Sequence, residues 1–90
     1  MKLLDFHAGW CFPCQQQEPI IDDLEEEHRD ADWLDIERVD VDEEPMRASE
    51  FGVRSIPTLI LVDSDEQVMK EWTGLTQGDE LREVIDSHSP

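Results

Sequence analysis

The 90-residue sequence predicts an α/β fold, a mixed four-stranded sheet with three helices distributed over both faces. Two observations predict it. At the start of the chain, an apolar run, a long helical pattern and a second strand pattern follow one another, the order of a right-handed parallel β-α-β crossover. Later, a continuous apolar run is followed by a turn and a returning strand, which must pair antiparallel. The predicted order is β-α-β-α-β-β-α, in a single domain spanning 1–90.

The first strand and helix are predicted from residues 3–28. A short apolar run at 3–8, interrupted by Asp5, is too brief for a helix and suits a buried strand. Helical spacing of apolar residues then extends from about residue 11 to residue 28, opposite an acidic, solvated face. Pro13 falls in the first turn, where a missing N–H is harmless, whereas Pro19 falls inside the helix and should kink it.

The next two elements are a strand and a short helix. Residues 33–42 alternate apolar and polar side chains, the period of a strand with one wetter face. Pro45 then begins a short helix, and Gly52 ends it. We expect the strand to lie parallel to the first one, because a helix connects the two.

The last part of the chain predicts a hairpin and a final helix. Residues 56–62 form a continuous apolar run, typical of a strand buried on both faces, and residues 67–72 return beside it. Thr76 is expected to cap the last helix. The inner face of that helix is predicted to carry Leu81, Val84 and Ile85.

The composition is strongly acidic, with 24 Asp and Glu against 7 Lys and Arg and a net charge of −17. Such a surface repels nucleic acid and anionic membranes, so we expect neither as a partner. The acids interleave with ordered apolar runs, which favours a folded domain suited to high salt, as in halophiles, over a disordered chain. Neither a signal-peptide pattern nor a run of membrane-spanning length occurs, and we expect a cytoplasmic monomer.

Both cysteines lie in one stretch, Trp10-Cys11-Phe12-Pro13-Cys14. Two residues between thiols place both sulfurs in a helix's first turn, where a disulfide can form and open locally. This spacing alone leaves redox chemistry and a metal site both open. The three histidines show no paired ligand spacing, so we expect no metal, and no dinucleotide-binding motif indicates a cofactor.

Four motifs occur in the order and on the elements in which the thioredoxin family has them, and over residues 3–86 the chain resembles that family. They are the Asp5–Cys14 segment, Pro19, the Gly52–Thr58 segment and Gly74. The resemblance implies a thioredoxin-like fold and a thiol–disulfide oxidoreductase that reduces protein disulfides. The redox group would be the Cys11–Cys14 disulfide itself, reset by a separate electron donor similar to thioredoxin reductase.

The chain also departs from the family pattern. The usual first strand and helix do not precede residue 3, so we expect four strands instead of five. Phe12 stands where thioredoxins usually have Gly, His7 where many have an aromatic residue, and Gln15 where many have a basic one. These departures bear on substrate range and reduction potential.

The resemblance also implies roles for individual residues. Cys11 is the attacking thiol, and Cys14, expected to be the less exposed of the two, resolves the mixed disulfide. Asp5 is the buried carboxyl beneath them, with a raised pKa, which exchanges a proton with Cys14 through water. Arg38 either pairs with Asp5 or is surface charge. We expect His7 to pack, with tuning of Asp5 or the sulfurs as its alternative role.

The resemblance further implies a substrate-binding surface around the sulfurs. A cis bond before Pro57 would bring the backbone of Ile56 beside them, where it can pair with an extended substrate. Aromatic side chains would supply apolar contact, and a glycine would allow close approach. The predicted substrate-binding residues are Trp10, Phe12, Pro13, Ile56, Pro57 and Gly74.

Three other functions remain open at this point. A glutaredoxin-like role would need a positively charged glutathione pocket, which this acidic chain does not supply. A disulfide isomerase would share the same motif at a less negative potential. From another class, the two thiols could serve a non-catalytic binding module as metal ligands.

Overall fold

The computed structural model describes all of residues 1–90, and its elements follow the predicted order. The sheet has the strand order β2-β1-β3-β4. Its first pair is parallel and the other two pairs are antiparallel, so the predicted mixed sheet is confirmed. The strands are β1 (Lys2–His7), β2 (Asp35–Asp40), β3 (Thr58–Val62) and β4 (Val68–Thr73). The helices are α1 (Phe12–Glu27), α2 (Pro45–Glu50) and α3 (Gly78–Ser87).

The two central strands, β1 and β3, are buried on both faces because their apolar side chains alternate between two cores. On one face, Leu3 and its neighbours pack against α1 and α3, and on the other, Leu4 and Phe6 pack against α2. The larger core contains Leu3, Ile21, Leu24, Leu34, Leu59, Leu61, Trp72, Leu81 and Ile85. Helices therefore cover both faces, as the sequence predicts.

The second strand is shorter than the alternation of residues 33–42 predicts. It ends at Asp40, whose Oδ1 accepts a hydrogen bond of 2.9 Å from the backbone N–H of Asp42. An aspartate that binds the backbone two residues ahead forms a turn, and the turn ends the strand. The first helix, in contrast, closely matches its predicted range and is continuous across Pro19.

The predicted cap at Thr76 is wrong. Helix α3 begins two residues later, with Gln77 at its N-cap and no side-chain hydrogen bond there. The Thr76 hydroxyl instead donates to the carbonyl of Gly74 at 2.9 Å. The backbone of Thr76 binds the side-chain amide of Gln17 on α1. That amide accepts a hydrogen bond from the Thr76 N–H at 2.8 Å and donates one to the Thr76 carbonyl at 2.9 Å. Thr76 thus serves a long-range contact and not the helix end.

None of the three helices is both long and apolar enough to cross a membrane. The basic side chains mostly connect elements across the acidic surface. Arg82 of α3 donates to Glu27 of α1 at 2.7 Å, and Lys2 of β1 pairs with Glu37 of β2 at 3.3 Å. Exposed ion pairs such as these add little stability because water and salt screen them, so the two cores supply most of it.

Candidate active site

The first cysteine occupies the N-cap of α1. Its backbone is extended, with φ −91° and ψ 108°, and its Sγ accepts a hydrogen bond of 3.2 Å from the N–H of Cys14. Pro13 follows in the first turn, where its fixed φ suits the helix. The unpaired N–H groups and the dipole of the helix favour negative charge at this position. The local structure therefore stabilises a thiolate on Cys11.

The two cysteines are joined in a disulfide, with their Cα atoms 5.2 Å apart. Both are buried, Cys11 at 4% exposure and Cys14 at 7%. The expectation that Cys14 is the less exposed residue is thus wrong for the disulfide form. The reason is local packing, since Val41 and Ile56 pack against the cluster that the two cysteines form with Ala8.

Beneath the disulfide, Asp5 is 5% exposed, and its Oδ1 has no hydrogen-bond partner. Burial raises the pKa of its carboxyl, and nearby Glu18 raises it further, whereas His7 and Arg38 act in the opposite direction. Asp5 and Cys14 line one cavity of about 320 Å³. The predicted burial and the direction of the pKa shift are confirmed.

Arg38 does not pair with Asp5. The two residues are register partners across β1 and β2, but the Arg38 guanidinium bonds Asp22 at 2.6 Å and Glu25 at 3.2 Å, both on α1. Of the two possibilities for Arg38, the structure supports surface charge. The arginine still acts on Asp5 through its field, which lowers the pKa of the carboxyl.

His7 lies two residues after Asp5 on β1, on the same face of the strand, and lines the same cavity. It is half-buried. Its ring takes part in no hydrogen bond or ion pair, unlike His28, which bonds the Leu24 carbonyl and Asp86. The structure therefore places His7 beside Asp5, the position that its alternative role requires.

Two aromatic side chains project from the start of α1. Trp10 is 70% exposed and Phe12 is 66% exposed, so both rings face solvent. The Trp10 indole N–H donates to Asp42 at 2.9 Å, so the ring is held at the loop after β2. Beside it lies an open groove of about 400 Å³. The groove is lined by Trp10, Val41, Ala48, Val53, Arg54, Ser55 and Ile56.

The loop before β3 supplies free backbone groups at the site. The Ile56–Pro57 peptide is cis, as the resemblance implies, and neither the N–H nor the carbonyl of Ile56 makes a hydrogen bond within the protein. The Pro57 carbonyl accepts from the N–H of Gly74 at 2.8 Å. Gly74 has φ +89°, which favours glycine, and the space a Cβ would occupy there is open. These residues lie together, as predicted.

Gln17 was not predicted from the sequence. It is fully buried and connects α1 to Thr76, close to the Gly74 turn. A signal existed, since Cys14, Gln17, Ile21 and Leu24 share the inner face of α1 at helical spacing. A polar side chain on such a face must find a partner. Arg54, in the groove wall, was also absent from the predicted site.

The structure contains no group of three or more His, Cys, Asp or Glu side chains arranged to hold a metal ion. The disulfide adjoins both pockets, since Cys14 lines the cavity beside Asp5, and Val41 and Ile56 of the groove pack against the two cysteines. One side of the disulfide thus faces apolar side chains and free backbone groups, and the other faces titratable side chains.

The thioredoxin family model matches residues 1–87. A thioredoxin of Listeria monocytogenes is 42% identical over 88 residues, covering 98% of this chain and 82% of the relative, and one of Bacillus subtilis is 37% identical over 86 residues, covering 96% and 80%. Among solved structures, a point-mutant thioredoxin from Halobacterium salinarum NRC-1 superposes with a TM-score of 0.86 at 38% identity. It covers 99% of this chain, which spans 74% of that protein.

Fasciola hepatica thioredoxin superposes with a TM-score of 0.84 at 29% identity. The superposition covers 97% of this chain and 79% of the Fasciola protein. The family model, the relatives and the solved structures thus indicate the same family as the cysteine pair at the start of α1 does. The chain belongs to the thioredoxin family and, like its members, is a protein-disulfide oxidoreductase with a thioredoxin-like fold.

Proposed function

We propose that this chain reduces protein disulfides, with Cys11 as the attacking thiol and Cys14 as the resolving thiol. The observation that carries the proposal is the position of Cys11 at the N-cap of α1, where its Sγ accepts the Cys14 N–H. A thiolate is the nucleophile in disulfide exchange, and this position stabilises the thiolate. Cys14 lies inside the helix and lacks that stabilisation.

In the first step, the Cys11 thiolate attacks one sulfur of the substrate disulfide. A bond forms between Cys11 and that sulfur, the substrate S–S bond breaks, and the second substrate sulfur leaves as a thiolate. In the second step, the Cys14 thiol loses its proton and attacks the Cys11 sulfur. The mixed disulfide breaks, the substrate leaves fully reduced, and the two electrons it has gained come from the Cys11–Cys14 pair.

We assign the proton acceptor of the second step to Asp5. Asp5 lines the same cavity as Cys14, and the cavity has room for water molecules. Burial raises the pKa of Asp5, so its affinity for a proton is closer to that of a thiol than an exposed aspartate's would be. Asp5 therefore suits proton exchange with Cys14.

The proposed substrate-binding surface lies on the groove side of the disulfide. An extended substrate segment would hydrogen-bond to the free N–H and carbonyl of Ile56, while the open space at Gly74 admits its backbone. The exposed rings of Trp10 and Phe12 offer apolar contact. The proposed binding residues are Trp10, Phe12, Pro13, Ile56, Pro57 and Gly74.

We propose further that residues 1–90 act as one domain and as a cytoplasmic monomer. The redox group is the Cys11–Cys14 disulfide, with no other cofactor, and each turnover leaves this pair oxidised. A separate electron donor similar to thioredoxin reductase would then reduce it. The acidic composition supports a protein that works in high salt, since salt screens the repulsion among its 24 acidic residues.

The reduction potential of the Cys11–Cys14 pair tests the direction of the reaction. We expect a value near about −270 mV, which is typical of thioredoxins, measured by equilibration with glutathione buffers in dilute and in about 1 M salt. Such a value supports a general reductant of protein disulfides. A potential near about −180 mV would contradict this direction and indicate an isomerase. Bound zinc without any reduction of insulin disulfides would instead favour the metal-binding alternative.

Replacing Asp5 with asparagine tests the proton step. We expect disulfide reduction to slow by roughly a hundredfold, because the amide cannot accept the Cys14 proton. The reaction rate, measured in single turnovers across the pH range, should also lose the part of its pH dependence that belongs to Asp5. Unchanged rates across the range would remove Asp5 from the mechanism.

Asp5→Asn should also change how the stability of the protein depends on pH. Because the pKa of Asp5 is raised in the folded protein, the folded state binds this proton more tightly than the unfolded state does. The native protein should therefore lose stability as the pH rises from the unfolded pKa through the folded one, by up to about 1.4 kcal/mol per pH unit. The asparagine side chain does not titrate and carries no such loss, so urea unfolding should show the variant gaining stability relative to the native protein as the pH rises.

A further inference from the structure

The cavity behind the disulfide holds more titratable groups than the proposed reaction uses. Its walls come from three elements: β1, α1 and β2. The side chains that carry the inference are Asp5, His7, Cys14, Glu18, Arg38 and Asp40. Cys14 and Asp5 have assigned roles above, whereas His7 and Glu18 have none.

The Asp5 side chain has little direct contact with solvent. Its carboxyl is 5% exposed, and its Oδ1 has no hydrogen-bond partner in the protein. A proton taken from Cys14 is either returned to Cys14 when the pair is reduced again or released to solvent, and release is faster with an acceptor that reaches both the carboxyl and the solvent. The cavity connects these two regions, because it is open at one side and contains Asp5 in its wall.

His7 is placed to be that acceptor. It follows Asp5 by two residues on the same face of β1, and both residues line the cavity, where water can connect their side chains. The ring is half-buried and has no hydrogen-bond partner in the protein, which leaves both nitrogens free. Imidazole is the side chain that gains and loses a proton near neutral pH.

We propose that His7 carries protons between Asp5 and solvent across this cavity, and that it acts through Asp5 without touching the sulfurs. This inference rests on the proposed reduction of disulfides by Cys11 and Cys14. It gives a function to one of the positions at which the chain departs from the thioredoxin pattern. A neutral aromatic side chain at this position would supply no group that accepts a proton.

The transfer conserves protons at each step. Asp5 takes the proton of the Cys14 thiol, so an S–H bond breaks and a carboxyl O–H bond forms. One nitrogen of neutral His7 then takes that proton, through water where one intervenes, and the carboxylate is restored. The other nitrogen of the imidazolium gives up its proton to solvent, and the ring returns to neutral by exchanging tautomers. In the reverse direction, when the pair is reduced again, each step runs backwards.

The charged groups around His7 come from every neighbouring element. Asp5 lies on its own strand, Glu18 approaches from α1, and Asp40 is its register partner on β2, with Arg38 two residues earlier. Arg38 is held by two acids of α1, and its charge still lowers the pKa of Asp5. Glu18 is exposed and lies at the solvent side of the cavity.

The test compares His7→Gln with the control His88→Gln, which removes an exposed histidine near the end of the chain. We expect His7→Gln to slow multiple-turnover reduction of insulin disulfides by about tenfold and to flatten the pH profile between about pH 5 and pH 8. The control should keep the native rate and profile. Circular dichroism and urea unfolding establish that both variants are folded. Identical pH profiles for the two variants would overturn the inference.

Chemical rescue separates proton transfer from a packing role. In His7→Gly, added imidazole can enter the enlarged cavity, and we expect it to restore most of the lost rate. A packing role would not require a base that gains and loses a proton. Failure of every concentration of imidazole to raise the rate would contradict the relay.

Asp5→Asn distinguishes this inference from the proposed function. If Asp5→Asn slows the reaction but His7→Gln leaves the rate and the pH profile unchanged, the relay is wrong and the proposed function stands. If Asp5→Asn has no effect, the proton step assigned to Asp5 fails and the relay fails with it. The relay is supported when both single variants are slow and the double variant is no slower than Asp5→Asn.

Discussion

Replacing Cys14 with serine is expected to trap a covalent complex between this protein and its substrate. Cys11 can still attack and form the mixed disulfide, but the serine hydroxyl cannot displace the substrate sulfur. Steady-state turnover should fall by roughly a thousandfold or more, because the second half of the reaction has lost its nucleophile. The complex should be visible on a non-reducing gel, disappear with dithiothreitol, and show the summed mass of the two proteins.

The matched control is Cys11→Ser, which leaves the other thiol in place. It should be equally inactive and form no complex, because the Cys14 sulfur does not occupy the N-cap, where a thiolate is stabilised. A stable complex with Cys11→Ser and none with Cys14→Ser would reverse the assignment of the two thiols. That outcome would leave the family membership untouched and overturn the proposed order of attack.

Replacing Gln17 with alanine is expected to cost about 3–4 kcal/mol of stability. The side chain is fully buried and satisfies both backbone groups of Thr76, at 2.8 Å and 2.9 Å. Its removal leaves a buried N–H and a buried carbonyl without partners, at about 1–3 kcal/mol each, and opens a cavity besides. Urea unfolding of the disulfide form should show a lower midpoint with an unchanged slope.

Two further variants show which part of the Gln17 effect comes from hydrogen bonding. Gln16→Ala changes the adjacent, exposed glutamine and should alter stability by no more than about 0.5 kcal/mol. Gln17→Leu fills much of the volume but leaves Thr76 unpaired, so it should remain about 2 kcal/mol or more below the native protein. A Gln17→Leu variant as stable as the native protein would show that the hydrogen bonds contribute little.

The architecture could be predicted because its signals are local and periodic. The apolar runs at β1 and β3 and the spacing of Ile21 and Leu24 on α1 appear within single segments. The cysteine pair is equally local, since both sulfurs lie in one turn. Asp5 was identified by its position before that turn, through the resemblance to thioredoxins, and the structure confirms its burial.

The contacts that could not be predicted join residues far apart in the chain. Gln17 and Thr76 are 59 residues apart, and no periodic pattern connects them, so the threonine resembled an ordinary helix cap. Arg38 lies opposite Asp5 in the sheet, but its long side chain reaches Asp22 and Glu25 on the helix above. In both cases, the choice of partner depends on the three-dimensional packing of α1 against other elements.

The Gln17 contact also limits how the segment between β4 and α3 can change in length. Thr76 must present its N–H and its carbonyl to one amide on α1, while Gly74, two residues earlier, bonds the Pro57 carbonyl. An added or deleted residue between these two anchors would break at least one of them. The turn before β4, at residues 63–67, has no such double attachment to α1, so natural or engineered insertions should be tolerated there and rejected at 74–76.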